Sequence, residues 1–86
     1  MLEYTHMNSE KVLTYTVMFE TDAEGYLASV PALPGCVTHG KTFEEATSLI
    51  KDAISAYLEV LKEDGDEIPV ESGEHIAATV SVAVPA

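Results

Sequence analysis

Between Val30 and Ala46, seventeen residues hold two prolines, two glycines and a helix cap, and this run constrains the fold more than any other part of the chain. Pro31 and Pro34 each remove a backbone donor and hold the residue before them out of the helical region. A strand arriving from Gly25 must therefore stop and turn here. Gly35 lets the chain swing into another short strand, predicted over 35–39. Thr42-Phe43-Glu44-Glu45 then reads as a capping box: the Thr42 hydroxyl accepts from the Glu45 amide, the Glu45 carboxylate reaches back to the Thr42 amide, and a helix begins.

The flanks extend this pattern. Residues 1–10 read as a lead-in and 11–86 as one domain. From Lys11 to Glu20 the chain alternates, with Leu13, Tyr15, Val17 and Phe19 on one face and Val12, Thr14, Thr16 and Met18 on the other. Thr21-Asp22-Ala23-Glu24-Gly25 supplies turn chemistry, and Tyr26–Val30 returns as a second strand. From Phe43 to Asp64 a helical period takes over, placing Phe43, Ala46, Ile50, Ala53, Ile54, Tyr57 and Leu61 in one stripe with Leu49 and Val60 at its margin. Gly65 suits the position just past a helix end, and Pro69 prevents renewal. Residues 76–84 alternate again, with the larger side chains at Ile76, Val80, Val82 and Val84, and are predicted as a fourth strand. A β-β-β-α-β order with a right-handed crossover places that strand parallel to the first. The expected fold is α+β: a mixed four-stranded sheet in order 3-2-1-4 with one long helix on one face.

Charge narrows the partners. The 86 residues carry fifteen acids against four lysines and no arginine, a formal net charge of −11. Nucleic acid binding needs cations to displace counterions, so direct binding to DNA or RNA is not expected. An acidic domain instead attracts a basic protein, although acidity also serves plain solubility. Cys36 is the single cysteine, which excludes an intrachain disulfide; no apolar run is long enough to span a bilayer, and the N-terminus lacks a signal-peptide pattern. A reducing cytoplasm is the expected compartment, with no membrane association.

With Asp22-Ala23-Glu24-Gly25-Tyr26-Leu27-Ala28 before it and the amphipathic helix after it, the Val30–Ala46 run resembles the N-terminal domain of HicB-type antitoxins over roughly residues 13–84. The resemblance implies a reduced ribonuclease-H-like fold with the same strand order. It also implies a non-enzymatic protein that binds HicA-type toxins, small ribonucleases with a catalytic histidine, and blocks their active site. Many members carry a C-terminal DNA-binding domain; the sequence stops just after the predicted fourth strand, so a stand-alone domain is expected. It departs from the family pattern at Ala32, between the prolines, and at Lys41, before the helix cap.

A ribonuclease-H-like fold raises the question of a carboxylate-held metal, with Glu20, Asp22 and Asp52 as candidate ligands. Asp52 points almost opposite the apolar helix stripe, and Glu20 and Asp22 face away from it on the sheet, so sheet and helix separate them. Cys36 and His39 are three apart, which in a strand places them on opposite faces; a buried thiol and an exposed imidazole are expected rather than a zinc site or a nucleophile–base pair. His6 and His75 are isolated. No cofactor, metal or catalytic residue is assigned.

Two surfaces remain as candidates. Glu59, Glu63, Asp64, Asp66 and Glu67 crowd the end of the helix, where the dipole already favours cations and only Lys62 answers them. They suit a basic partner or, more plainly, form a solvated face. The predicted last strand lies at a sheet edge without charge or interior proline, so Thr79, Val80, Ser81 and Val82, extended by Leu49 and Val60, are candidates for strand addition in a homo-oligomer unless the lead-in covers them. Two functions follow: an antitoxin that occludes a basic ribonuclease, or a toxin-less structural or regulatory homo-oligomer of the same fold.

Overall fold

Alternation on either side of the Asp22–Gly25 turn closes a hairpin. In the computed structural model, which describes residues 12–71, 73 and 76–86, β1 (Met18–Asp22) pairs antiparallel with β2 (Gly25–Ser29), setting Met18 opposite Ser29 and Asp22 opposite Gly25. The lead-in over 1–10, Lys11, His6 and His75 lie outside the described residues. β3 (Val37–Gly40) adds to the other side of β2, again antiparallel, so the strand order is β1-β2-β3 with β2 central. The first strand is shorter than its alternation predicted. Residues 12–17 continue past Ser29, where Pro31 stops β2 and leaves them no ladder partner.

The proline-rich run turns twice. The Leu33 amide donates to the Val30 carbonyl and the Cys36 amide to the Leu33 carbonyl, each at 3.0 Å, while the Val30 amide closes the loop on the Cys36 carbonyl at 3.1 Å. Each proline occupies the second position of its turn, where a fixed φ is an advantage, and Gly35 at φ 84° makes the second turn type II. The loop also contributes to the core. Leu33 is fully buried and, with Val30 and Cys36 from the loop ends, joins Ala28, Ala46 and Ile50.

Helix α1 (Phe43–Glu63) begins at Thr42, whose hydroxyl accepts from the Glu45 amide at 3.0 Å as expected. The reciprocal bond differs by one residue: the Glu45 carboxylate accepts from the Lys41 amide at 2.6 Å rather than from Thr42. Thr42 is already in the extended conformation of a cap, which leaves the preceding amide as the donor that Glu45 meets. The buried helix residues are Ala46 and Ile50, with Ala53, Ile54, Tyr57 and Leu58 packed partly against the core. Leu58 was not in the predicted stripe. Phe43, at the N-terminal end, packs against Phe19 with the rings tilted and their centroids 4.7 Å apart, and meets Tyr26 edge-on at 6.0 Å. Near the other end the Tyr57 hydroxyl donates to the Pro34 carbonyl at 2.9 Å, tying helix to loop.

The helix approaches β3 at Gly40, where a Cβ would stand 2.5 Å from the Ala46 nitrogen and 2.8 Å from its Cα. Small residues on both surfaces permit this approach, since Ala28 and Ala46 are the other fully buried positions beside it.

Among the described residues the α+β class is met by a three-stranded sheet in order β1-β2-β3 with one helix; residues 76–86 have no ladder partner there, with Ile76, Val80, Val82 and Val84 81%, 83%, 78% and 86% exposed, so the four-stranded order 3-2-1-4 is not seen. Alternation describes a strand that could bury one face; it does not supply the edge that pairs with it. Many side chains here are small, namely Ala77, Ala78, Thr79, Ser81 and Ala83, and offset little of the entropy of ordering the backbone. At the start of β1 the returning chain engages through side chains instead. The Tyr15 hydroxyl donates to the Pro69 carbonyl, the Thr16 amide donates to the Glu71 carboxylate at 2.8 Å, and the Thr16 hydroxyl donates to its other oxygen.

Two stability changes are expected in urea unfolding followed by helical circular dichroism. Gly40→Ala forces β3 and α1 apart and should lower the unfolding free energy by ~2 kcal/mol or more. Thr38→Val should raise it by ~1 kcal/mol, because the Thr38 hydroxyl is buried without a hydrogen-bond partner.

Candidate partner-binding surfaces

The last turn of α1 ends in a fully bonded cap. The Asp64 amide reaches the Val60 carbonyl at 3.0 Å, the Gly65 amide the Lys62 carbonyl at 3.1 Å, and the Asp66 amide the Leu61 carbonyl at 2.9 Å, with Gly65 at φ 74°. These are the paired bonds of a Schellman motif, which fixes the direction of the chain beyond the helix. Glu59, Glu63, Asp64, Asp66 and Glu67 are all exposed around this cap. Lys62 is the basic residue of the last turn, and among the described residues none of these carboxylates forms an ion pair. Local like-charge repulsion and the negative end of the helix dipole both disfavour this arrangement.

A second surface follows β1. Among the described residues no strand lies on the side of β1 away from β2, and an open groove of about 550 Å3 along it is lined by Thr16, Met18, Pro31, Ala32, Glu71, Ile76 and Ala77. The helix lies over β3 and β2 and reaches β1 through the Phe43–Phe19 ring pair. Leu49 and Val60 are 39% and 54% exposed on α1. The structure does not bring them together with Thr79–Val82 into one sheet edge, because that segment has no ladder partner among the described residues. Sequence reasoning missed the groove itself. It forms where the proline loop and the returning chain both border β1, and only the unusual density of prolines hinted at it.

The residues weighed for metal chemistry serve the hairpin. Asp22 accepts from the Glu24 amide at 2.8 Å, an Asx turn, and its carboxylate meets His39 Nε2 at 3.2 Å across β2. In the ladder Asp22 faces Gly25 and His39 faces Leu27, so the pair meets diagonally across β2. Glu20 and Asp52 are exposed, and among the described residues no three His, Cys, Asp or Glu side chains converge as metal ligands would. Cys36 is buried, which pushes its thiol pKa up and away from nucleophilic use, and His39 is on the solvent side. The Tyr15 hydroxyl is likewise shifted up, by burial first and then by Glu71. Among the described residues no helix is long and apolar enough to cross a membrane.

Residues 15–83 match the family model for the HicB-like antitoxin of bacterial toxin–antitoxin systems. An UPF0150 protein of Thermoplasma acidophilum is 49% identical over 65 residues, covering 74% of this chain and 94% of the relative. Another, from Archaeoglobus fulgidus, is 42% identical over 62 residues, covering 69% and 90%. Antitoxin HicB 2 of Photorhabdus laumondii is 37% identical over 62 residues, which are 72% of this chain and 45% of that protein.

Asp22 is held below the ordinary carboxylate range, first by the Glu24 amide and then by His39. Its ionised form therefore favours the folded state at pH above the ordinary value, and that contribution fades as pH falls through the lowered one. In a carbon-detected NMR titration, His39→Ala should raise the Asp22 midpoint only part of the way, because the stronger Glu24 bond remains. An unmoved midpoint would show that the imidazole exerts no hold.

Proposed function

The chain belongs to the HicB-like antitoxin family of bacterial toxin–antitoxin systems, and from that membership we propose that it neutralises a basic HicA-type ribonuclease by covering it. Family membership gives a non-catalytic regulatory role with a toxin as partner. The exposed carboxylates around the α1 cap carry the more specific claim. Glu59, Glu63, Asp64, Asp66 and Glu67 stand on one rigid helix end with Lys62 as the basic residue of its last turn, in a chain of net charge −11. Such a concentration opposes helix stability and has a natural use in drawing in a cationic surface.

A ribonuclease that grips RNA through lysines and arginines offers that surface. Covering it blocks RNA by competition for the same cations, so the antitoxin needs no nucleic acid contact, cofactor or bond-making of its own. The complex acts where toxin and RNA meet, in the cytoplasm. In this proposal the sheet is completed to the ribonuclease-H-like order 3-2-1-4 when a strand takes the place beside β1. The alternative reading, a toxin-less structural or regulatory homo-oligomer of the same fold, draws on a separate observation, the exposed 76–86 segment.

Stopped-flow association with a purified HicA-type protein tests the charge claim. Neutralising Glu59, Glu63, Asp64 and Asp66 together, as Gln and Asn, should slow association at low salt by ~10-fold or more and flatten its ionic-strength dependence. An unchanged rate would remove the patch from the encounter.

A further inference from the structure

Beyond the Schellman cap the chain runs from Asp66 to Val70 without helix or strand. Among the described residues, two fixings bound this connector. At its start the Asp66 amide is bonded to the Leu61 carbonyl. At its far end Tyr15 and Thr16, just ahead of β1, take hold of it. The Tyr15 hydroxyl donates to the Pro69 carbonyl, and the Glu71 carboxylate accepts from both the amide and the hydroxyl of Thr16, the first at 2.8 Å. Ile68, Pro69 and Glu71 are half-buried, whereas Asp66, Glu67 and Val70 are exposed.

The parts of this clasp are complementary. One carboxylate presents two oxygens and Thr16 offers two donors, so the pair forms two bonds side by side, each strengthened by the charge on the acceptor. Tyr15 packs partly against the core, which anchors the clasp in the body of the fold. Burial first, and then the charge of Glu71, holds the Tyr15 hydroxyl above its ordinary pKa and keeps it a donor. The connector has reason to be held at both ends. Asp66 and Glu67 repel Glu63 and Asp64 at the end of α1, and self-repulsion favours an open, splayed arrangement.

We propose that Tyr15, Thr16 and Glu71 are positioning residues for partner binding: they hold the 66–70 connector, and with it Asp66 and Glu67, in the arrangement that a basic toxin meets. This role rests on the reading of the acidic α1 cap as the toxin-facing surface. A carboxylate on a fixed connector loses less freedom on forming a contact than one on a loose connector. The charge of the patch draws the partner in, and the clasp leaves that charge unaltered. Its effect comes after encounter, by lowering the ordering cost of the bound state. Encounter and retention are thereby assigned to different residues, the first to the carboxylates and the second to the groups that hold them.

Tyr15→Phe combined with Thr16→Val removes both hydroxyl bonds of the clasp and leaves every carboxylate in place. In the free full chain, the amide heteronuclear NOEs of Asp66, Glu67, Ile68 and Val70 should fall while those of α1 and the helical circular dichroism are retained. In stopped-flow with a purified HicA-type protein, the association rate and its salt dependence should match wild type. Dissociation should be faster by about 5-fold or more, the effect of re-ordering roughly one residue on binding. Thr16→Ser, which keeps the hydroxyl, should behave as wild type in both measurements. The single variants Tyr15→Phe and Thr16→Val should each give part of both effects, which keeps the test open if the double variant unfolds. Unchanged NOEs, a loosened connector with unchanged dissociation, or a change confined to association would overturn the proposal. Failure of wild type to bind the HicA-type protein, with the connector loosening as expected, would remove the toxin reading and this role with it.

Discussion

The fold depends on the approach of α1 to β3 at Gly40. With a Cβ there already within 2.5 Å of the Ala46 backbone, helix and strand lie as close as two backbones without intervening side chains can lie. Ala28 and Ala46 keep the neighbouring positions equally small. Larger residues are displaced to the rim of this contact: Phe43 onto Phe19 and Tyr26 at one end, Tyr57 onto the proline loop at the other. A domain of this size buries a modest share of its surface, and a tight small-residue contact extracts more dispersion from that share than a looser one would.

Most of this was legible in the sequence because each signal was local. The Thr42 cap and Gly65 delimit a helix whose observed span, Phe43–Glu63, matches the period that predicted it to within a residue. The hairpin turn and the separation of Cys36 from His39 follow from short-range geometry as well. What could not be read was tertiary. Leu33 sits between two prolines and reads as loop, yet the double turn carries it to the centre of the core. Residues 76–84 read as a strand from their alternation alone, and alternation contains no information about a pairing edge. Asp22 and His39 are separate in the sequence, and only the ladder register, which sets Asp22 opposite Gly25 and His39 opposite Leu27, shows that they meet.

Polarity is divided along the chain. Acidic groups gather at the end of α1, where they oppose local stability, and the segment beyond residue 75 has none. Two kinds of contact can then coexist on a small domain without competing. One is long-range, directional and weakened by salt; the other is short-range, backbone-mediated and insensitive to salt.

The loop from Val30 to Cys36 has a shape set by its own backbone bonds and by two prolines, with Leu33 as its anchor. Ala32 takes no part in those bonds and lies on the groove wall. Substitution at this one position changes the chemistry of the groove wall while the scaffold beneath stays as it is.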